Sequence, residues 1–599
     1  MYFSENCFFR HLVSFILLFK IAFSQNNFSG SSLTRYGESK DGINYSEIIV
    51  NTNTNFKNYH LWTQFEFSNP PELGFNMNGL RKIQLEYTTL VSSIKLGDIY
   101  DIWGRGLILN QIDDQLIDLD NGIRGAELSY VKDQFRIDLL LGNSSIWKST
   151  TNFPGSNNYR HNYELKHKVI GSNLLWYKDN VEFGSSFLQS REKHPIYSAP
   201  SIDTLKLVHR LYSNRISYYS ENFDFYFEYL NKKSQNEARK DFSRTGYGMY
   251  LNLNKYHKEW AIGIDYVNYD FARLSPDIFV RWNFVDNQGL AIDFQQPPIA
   301  SMVHSSTLLG RINRQIDFNN NIGYQTTISG PLFNKTSFMA NYSVASRTHQ
   351  WYSDSLFNWS INNKKLYVPE NNPGVLPFKE LYFEISGSSY RDRLHFIFGL
   401  AFTKDIFELY KNIQTEDQTS TKYKVRKSST IPLQFNWEFK NGLFTEIKYE
   451  YQKLIKGTWT KTISNGEILA DSLRSDFDVY DFETGVLTRN PAQYNDFISV
   501  GFGKSPNWSI ALMIDRVSLD DVFDSNFNDR VTTFESIIGK FIELENTWSS
   551  IELTYNLSSN NRISIMYGSQ KGGVLCSNGV CRVIQPFIDG FKIDITSIF

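Results

Sequence analysis

Apolar and polar residues alternate with a period of two along most of the chain. In residues 222–229 (NFDFYFEY), Phe223, Phe225, Phe227 and Tyr229 share one face, and mostly polar residues take the other. The same alternation recurs in residues 247–253, 394–403, 433–439 and 551–557. This period predicts β-strands that have one apolar and one polar face.

Short polar stretches separate these segments, as the turns of β-hairpins require. Examples are residues 178–180 (KDN), 440–442 (KNG) and 558–561 (SSNN). No stretch has the pattern of a convincing amphipathic helix. We therefore predict an all-β protein.

The alternating strands fit either a soluble all-β fold, such as tandem sandwiches or a propeller, or a membrane barrel. A propeller would repeat at about 40–50 residues, and the sequence contains no such repeat. Aromatic residues make up 16% of the chain, which is typical of outer-membrane barrels with aromatic lipid interfaces. A large antiparallel transmembrane β-barrel is therefore the favoured fold. Its apolar face would point to lipid and its polar face to the lumen.

This orientation is specific enough to name residues. We expect Phe225, Phe396, Phe435 and Leu553 to face lipid, and their neighbours Asp224, His395, Gln434 and Glu552 to face the lumen. Spanning strands need about 9–11 residues. At roughly 22–28 residues per strand and loop, the chain predicts about 20–26 strands, an even number.

The N-terminal residues 1–24 predict a cleaved signal peptide. Arg10 gives a weakly basic start, residues 12–19 (LVSFILLF) form a short apolar run, and residues 22–24 (AFS) offer small residues for cleavage. We expect residues 25–80 to be a periplasmic leader with the first strand or strands, and residues 81–599 to be the barrel. The predicted location is the bacterial outer membrane.

The C-terminus has the pattern of an assembly signal. Phe591, Ile593, Ile595 and Phe599 share one face of the last predicted strand, although Ser597 interrupts it. Outer-membrane barrels characteristically end in such a strand with a terminal aromatic residue, which the barrel-assembly machinery recognises. We therefore expect that machinery and outer-membrane lipid to be partners.

Cysteine usage fits an exported protein. Cys7 lies in the predicted signal, so the mature chain keeps only Cys576 and Cys581. A close pair in an exported chain predicts a disulfide, with two free thiols as the alternative. Because Asn578-Gly579 is a strong turn sequence, we expect a surface hairpin that brings the two cysteines together.

Charged residues concentrate around Gly104 and Gly106, which predict a kink or a close strand approach. Asp98, Asp101, Arg105, Asp120 and Arg124 form a candidate lumen charge cluster. Satisfied internal salt bridges are the expected role of such a cluster. Solute selectivity at an inward-folded constriction is the alternative.

No catalytic or metal-binding motif is evident in the sequence, so we expect neither an enzyme nor a cofactor. His304, after residues 296–298 (QPP), is the most suggestive of ten scattered histidines. A net charge of −2 gives no indication of nucleic-acid binding.

Three motifs resemble an uncharacterised outer-membrane β-barrel family of Bacteroidetes-type bacteria. They are residues 96–109 (LGDIYDIWGRGLIL) with 120–126 (DNGIRGA), residues 296–298 with His304, Leu308, Leu309 and Arg311, and residues 572–582 (GGVLCSNGVCR) with Pro586 and Phe587. The first motif also has a weaker likeness to capsule-assembly barrels. The resemblance implies location and fold, and it implies no activity or ligand.

Three functions remain open from the sequence. A porin-like barrel that passes or imports a small polar solute is the leading hypothesis, because large barrels enclose a polar interior. A structural or secretion-linked barrel that binds partner proteins or surface glycans is the alternative. An outer-membrane hydrolase is the third, and it would need a cluster of Ser, His or Asp residues at one rim.

Overall fold

The computed structural model of the protein describes residues 27–115, 119–148, 163–198, 201–237, 243–271, 294–312, 314, 320–353, 359–361, 366–414, 418–480, 484–518, 546–577, 580–584 and 586–599. The predicted signal peptide, residues 1–24, lies outside this range. Among the described residues, no helix has the length and apolar character that crossing a membrane would need.

Twenty-four antiparallel strands form one closed barrel. The first twelve are β1 Asn27–Glu38, β2 Asn44–Phe56, β3 Tyr59–Ser68, β4 Asn78–Thr88, β5 Ser92–Ile99, β6 Ile123–Lys132, β7 Phe135–Lys148, β8 Tyr163–Lys178, β9 Val181–Ser198, β10 Ser201–Tyr219, β11 Phe223–Asn236 and β12 Ser243–His257. The others are β13 Trp260–Asp270, β14 Asn320–Phe333, β15 Thr336–Ser346, β16 Phe378–Ser389, β17 Leu394–Gln414, β18 Gln418–Glu438, β19 Leu443–Ser464, β20 Gln493–Lys504, β21 Trp508–Val517, β22 Thr547–Ser558, β23 Asn561–Gln570 and β24 Phe587–Ile598.

Each strand pairs with the next, and β1 pairs with β24 to close the barrel. The all-β prediction of about 20–26 strands is therefore confirmed. In the described part of the connections, the smaller elements are a short helix, α1 (Thr307–Gly310), a 3-10 turn at Pro373–Val375, and short strands. These strands are Ile102–Trp103, Leu109–Asn110, Asp113–Asp114, Leu119–Asp120, Trp351–Ser353, Trp359–Ile361, Glu467–Ser475, Val479–Tyr480, Leu487–Thr488, Gly573–Ser577 and Val580–Ile584.

The two ends of the barrel differ in the length of their connections. Short turns, such as those after Phe56, Lys132 and Lys178, lie at the end where β1 begins and β24 ends. The longer intervals between consecutive strands, such as those from Ile99 to Ile123 and from Asp270 to Asn320, begin and end at the other end. In outer-membrane barrels the short turns are periplasmic and the long loops extracellular, which orients this molecule.

The outer face carries the apolar residues of the alternating strands. On β11, Tyr226, Glu228 and Leu230 are buried inside, whereas Tyr229 is exposed on the outside. The strand register places Phe225, Phe396, Phe435 and Leu553 on the outer face and Asp224, His395, Gln434 and Glu552 inside, as predicted.

Aromatic pairs follow the short-turn end of the outer face. They are Tyr59–Tyr87, Trp176–Phe183, Tyr390–Trp437 and Phe502–Trp508, with ring centroids 4.8, 5.5, 5.6 and 5.8 Å apart. Such a girdle is typical of the periplasmic lipid interface of a barrel. The outer face is therefore apolar over a band that begins at this girdle.

The predicted leader needs a correction. Residues 27–68, which we assigned to a leader with the first strand or strands, form three complete barrel strands before β4 begins. The reason is visible on β1, whose outward side carries Gly30, Ser32 and Thr34 between Phe28 and Tyr36. Without apolar residues there, the strand lacks the alternation on which the prediction depended.

Candidate functional site

Residues 100–115 and 119–122, which lie between β5 and β6, fold into the barrel instead of projecting from it; we call them inner segment 1. Trp103, Leu107, Ile108 and Leu109 are at most 1% exposed. They belong to a dry cluster with inward-facing residues of the wall, among them Leu140, Val169, Leu188, Leu211, Leu230 and Val267. The interior of this part of the barrel is therefore packed rather than open.

A buried carboxylate fixes the turn of inner segment 1. Glu228 on β11 accepts hydrogen bonds from the Tyr226 hydroxyl at 2.5 Å, the Ser213 hydroxyl at 2.5 Å and the Arg105 backbone N–H at 3.2 Å. Gly104 has φ +62°, and a Cβ there would lie 2.6 Å from Oε2 of Glu228. Only glycine combines this backbone conformation with so close an approach. The predicted kink at Gly104 thus serves to dock the segment on the wall.

The five residues of the predicted charge cluster do not form one group. Arg124 makes a bidentate pair with Asp98, Nε–Oδ1 and Nη2–Oδ2 both 2.9 Å. Arg124 alternates with the buried, inward-facing Ile123, so its side chain lies on the outer face, and 62% of it is exposed. Assigning this pair to the lumen was therefore wrong, because the alternation of β6 turns Arg124 outward.

The other three residues of the cluster lie inside. Asp120 accepts from the Tyr100 hydroxyl at 2.8 Å and from the Gly122 N–H at 3.1 Å, and it pairs with Lys82 at 2.9 Å. Burial alone would raise the pKa of Asp120, but Lys82 and these donors outweigh it and lower that pKa. The Arg105 guanidinium lies over the Tyr226 ring, 5.2 Å from its centroid.

Asp101 has the opposite electrostatic environment. It accepts a hydrogen bond from Trp103 Nε1 at 2.7 Å. Burial raises the pKa of Asp101, and Lys95 opposes this only in part. Inner segment 1 therefore contains one stabilised and one destabilised carboxylate.

A second inward-folded stretch, residues 294–312, packs against the first; we call it inner segment 2. The Asn110 N–H donates to the Phe294 carbonyl at 2.6 Å, and Gln295 Nε2 donates to the Leu107 carbonyl at 2.7 Å. The Phe294 ring contacts His167 on β8, with centroids 5.0 Å apart. The first half of inner segment 2 is thus an extension of the dry cluster.

Carboxylates of the wall bind the second half of inner segment 2. Glu450 on β19 accepts from the Ser306 hydroxyl at 2.8 Å and from the N–H groups of Thr307 and Leu308 at 2.9 and 2.7 Å. These are unpaired donors at the start of α1, where a negative charge is stabilising. Glu450 therefore docks the segment through its backbone.

Inner segment 2 makes two further contacts with acidic residues of the wall. His304 Nε2 lies 2.9 Å from Glu380 on β16, and Arg311 forms an ion pair with Asp515 on β21. Leu309 and Ile312 pack in a smaller apolar cluster with Tyr382, Ala401, Leu454 and Phe477. From β8 to β21, inner segment 2 touches strands over more than half of the barrel's circumference.

The remaining arc of the wall, β22–β24 with β1–β4, is lined by charged residues. Arg35 pairs with Glu47, Arg81 lies 2.7 Å from Glu66, and Lys592 lies 3.6 Å from Glu72. Here the described inward face carries these charged pairs beside two small buried apolar clusters, around Trp548 and Met566, whereas the opposite side contains the large dry cluster. The two sides of the interior therefore differ in chemistry.

One hydrogen-bonded Ser–His–Glu set occurs near the extracellular end. Ser234 Oγ lies 2.8 Å from His209 Nδ1, and His209 Nε2 lies 3.0 Å from Glu192. Ser234 and His209 are 3% and 1% exposed. Among the described residues, no three His, Cys, Asp or Glu side chains are grouped to hold a metal ion.

Sequence reasoning named His304, Arg311 and the charged residues of inner segment 1, but it missed Glu228, Glu380, Glu450 and Asp515. Each of these carboxylates sits on the inward face of a strand. The alternation alone could have placed them inside. Their partners are so distant in sequence that nothing in the pattern identified them.

The cysteine pair lies in an extracellular hairpin, whose strands place Cys576 directly opposite Cys581. The turn residues 578–579 lie outside the described part. Directly opposed residues of antiparallel strands have Cα atoms about 4.5–5.5 Å apart, which suits a disulfide. The bond itself stays a prediction.

The predicted assembly residues lie on the outer face of the last strand and at its end. Phe591, Ile593 and Ile595 share the outward side of β24. Phe599 exchanges two backbone hydrogen bonds with Gly30, at 2.7 and 2.9 Å, and stacks on Phe28 at 5.8 Å. The terminal residue therefore contributes to the seam that closes the barrel, while its role in assembly stays a prediction.

A closed antiparallel barrel with an apolar, aromatic outer band and connections of unequal length defines an outer-membrane β-barrel protein, and this one belongs in the bacterial outer membrane. A family model described as a family of unknown function, DUF6029, matches residues 38–599, so the chain belongs to that family. The Bacteroidetes-type origin and the likeness to capsule-assembly barrels stay predictions.

Solved structures of other barrels are similar to the chain at low identity. The copper transporter OprC has 8% identity and a TM-score of 0.42 and covers 96% of this chain and 80% of its own. The siderophore receptor PirA from Acinetobacter baumannii has 7% identity and a TM-score of 0.44, and the match covers 96% of this chain and 81% of PirA. The FrpB iron transporter from Neisseria meningitidis has 7% identity and a TM-score of 0.42, and the match covers 96% of this chain and 83% of FrpB. No curated protein matches the chain.

Proposed function

We propose that this barrel admits a small polar solute across the outer membrane, along the charged arc of its interior. The observation that most supports the proposal is the docking of inner segment 2 on Glu450. Its contacts are hydrogen bonds to a carboxylate, which water or a solute can replace. A segment held in this way can narrow the passage and can move aside when its hydrogen bonds are replaced.

The size of the barrel makes an internal restriction physically reasonable. Barrels of 16–18 strands leave an aqueous channel, and barrels of 22 strands hold a plugged lumen. A closed barrel of 24 strands is wider than its own side chains can fill. Inner segment 1 reaches β4 through Asp113 and Asp120, and inner segment 2 reaches β21 through Arg311. The two segments therefore border the passage that we propose along β22–β4.

The charges along that arc suggest the class of solute. Lys82 and Arg81 face the acidic residues Glu66, Asp113 and Asp120. Both signs are present, so the arc offers donors and acceptors to a polar solute rather than a field of one sign. We therefore propose a small, neutral or zwitterionic polar solute.

Single-channel conductance in planar bilayers tests the proposal. The native protein should give small or infrequent openings, and Glu450→Ala should raise the conductance at least twofold, because α1 loses its anchor. Glu446→Ala is the matched control. Glu446 also faces inward on β19, but its hydrogen-bond and ion-pair partners, Gln434 and Lys448, lie on barrel strands. The conductance of this variant should therefore equal that of the native protein.

A bilayer that stays impermeable to ions and small sugars with native protein and Glu450→Ala alike contradicts the proposal. In that case the alternative gains support, namely a structural or secretion-linked barrel whose long external connections bind partner proteins or surface glycans. Retention of native protein on a glycan array would then identify that role.

We propose a structural role, not hydrolysis, for Ser234, His209 and Glu192. A nucleophilic serine must reach its substrate, and Ser234 is almost completely buried. A fluorophosphonate probe, which labels active serines, should leave native protein and Ser234→Ala equally unlabelled. Labelling of Ser234 would make the hydrolase hypothesis the better one.

Two roles at the C-terminal end also remain proposals. Deletion of Phe599 should reduce assembled barrel while export continues, because the seam with Gly30 and Phe28 is lost; unchanged assembly would contradict an assembly signal. Mass mapping of non-reduced peptides should find Cys576 bonded to Cys581. Two alkylatable thiols in native protein would contradict the disulfide.

A further inference from the structure

Outward-facing lysines and arginines form two arcs on the outer face of the barrel, at a common height; we call them the basic collar. The first arc, on β8–β11, consists of Lys166, Lys168, Arg191, Lys193, Lys206, Arg210 and Lys233. The second, on β16–β19, consists of Lys379, Lys404, Lys427 and Lys453. Their alternation with buried residues such as His167, Ser190 and His209 shows that they face outward.

The height of the collar follows from the strands. Arg191 lies on a strand that begins at Val181, and Lys404 lies on one that begins at Leu394. A tilted strand crosses the hydrocarbon in about 9–11 residues. Residues about that far from the periplasmic turn leave the hydrocarbon on the opposite side. The collar therefore lies at the headgroup level of the outer leaflet.

The apolar band directly below agrees with this height. On β8 the outward residues from the periplasmic turn upward are Trp176, Leu174, Ser172 and Ile170, and Lys168 is next. On β11 they are Phe225, Phe227, Tyr229 and Asn231, and Lys233 is next. The apolar residues are therefore followed directly by a basic residue on β8, and on β11 only Asn231 lies between them.

Like charges lie directly opposite each other within the collar. The register pairs Lys166 with Lys193, Lys168 with Arg191, Lys193 with Lys206, Arg210 with Lys233, Lys379 with Lys404, and Lys404 with Lys427. Like charges in directly opposed positions destabilise a sheet. An arrangement repeated six times calls for counter-charges that come from outside the sheet.

The protein supplies few of those counter-charges in the described part of the first arc. Glu164 lies 3.0 Å from Lys166, and Glu237 lies 3.9 Å from Arg191. Two carboxylates face seven cations there. Arg210 shares a hydrogen bond with the neutral Gln189 at 3.2 Å. The balance of charge on this surface is therefore strongly positive, although the whole chain has a formal net charge of −2.

We propose that the basic collar binds the phosphate groups of a phosphorylated glycolipid in the outer leaflet. Arginine and lysine are the residues that bind phosphate, arginine through two parallel hydrogen bonds. The collar is at the depth where lipid phosphates lie, and its like-charged pairs stand directly opposite each other on neighbouring strands. This inference concerns the outer surface and does not depend on the proposed passage of a solute.

Thermal unfolding of the purified barrel tests the collar. Unfolding is followed by heat-modifiability on a gel, in neutral detergent, with added lipopolysaccharide, with the same lipid after enzymatic removal of phosphate, or with inorganic phosphate at equal phosphate concentration. We expect the intact lipid to raise the melting temperature by several degrees. The dephosphorylated lipid and inorganic phosphate should each give less than half of that shift.

The variant Lys168→Gln/Arg191→Gln adds a readout that a merely structural role would not give. Without lipid it should melt slightly above native protein, because one repulsive pair is gone, and intact lipid should raise its melting temperature less. The control Lys132→Gln/Lys178→Gln removes two outward-facing lysines at the periplasmic ends of β6 and β8 and should behave like native protein.

Three results would overturn the inference. One is a shift in native protein that does not depend on lipid phosphate. Another is a full shift with inorganic phosphate, which would make a free anion the ligand. The third is an equal lipid-induced shift in the collar variant, the control and native protein. The first two need only native protein, so a variant that fails to fold leaves the inference testable.

Discussion

The middle of inner segment 1, residues 103–109, and the second half of inner segment 2, residues 304–312, are both enclosed by the barrel, but different contacts hold them. The first lies in a large dry cluster around Trp103 and Leu107. The second rests on a smaller cluster around Leu309, and three wall carboxylates bind its polar groups.

The difference determines how each segment can respond to a solute. Apolar burial is non-directional and is lost only when the whole surface meets water. A hydrogen bond to a carboxylate has a net value of about 1.5–3 kcal/mol, and water or a polar ligand offers a replacement. Residues 304–312 are therefore the part that can move, and residues 103–109 are the fixed support.

Removal of the largest side chain in the fixed support should have the largest effect. Trp103→Ala should destabilise inner segment 1 by about 3–5 kcal/mol, since it leaves a cavity in a dry cluster. Native-state hydrogen exchange should then be faster throughout residues 103–109. Trp176→Ala, on the outer face, should leave that exchange unchanged; equal effects of the two variants would contradict a packed interior.

Loss of one ionic anchor should have a smaller and more local effect. Arg311→Gln should cost about 2–3 kcal/mol, because Asp515 loses a charged partner, and hydrogen exchange should quicken in residues 304–312 only. The control is Arg124→Gln, which removes an Arg–Asp pair on the outer face. If exchange in residues 103–109 quickens as well, the two segments form one unit and the distinction fails.

A comparison of two glycine variants tests the contact between Gly104 and Glu228 in the fixed support. Gly104→Ala and Gly42→Ala both place a side chain at positive φ, +62° and +83°, at a cost of about 1 kcal/mol each. A Cβ at Gly104 also meets Glu228 and the Tyr226 hydroxyl, whereas nothing lies within 4 Å of one at Gly42. Gly104→Ala should therefore be the more destabilising in thermal unfolding, and equal losses would contradict the docking by Glu228.

The smallest expected effect concerns pH. The pKa of Asp120 is lowered in the folded protein, so its stabilising effect is full above the ordinary pKa of aspartate, about 3.9, and is lost as pH falls through the lowered value. Exchange in inner segment 1 should quicken at the acid end of that range. Asp120→Asn should remove this pH dependence. Both proteins contain Asp101, so its opposite contribution cancels when the two pH profiles of exchange are subtracted.

Some of the site was predictable from the chain alone. Gly104 and Gly106 predicted a kink or a close strand approach, and the alternation placed Glu228 on an inward face. The alternation could also have placed Arg124 outside, but charge was taken as a sign of the lumen. A charged residue on the outer face is acceptable at the headgroup level, which only the height along the strand reveals.

The sequence by itself determined the class of fold, because a barrel strand must present alternate residues to lipid and lumen, and that requirement is local. It also determined where most strands turn. Tertiary structure alone decided that inner segments 1 and 2 fold inward, which carboxylates hold them, and which basic residues stand opposite each other in the collar. Those relations join residues far apart in the chain, and no local pattern encodes the register that brings them together.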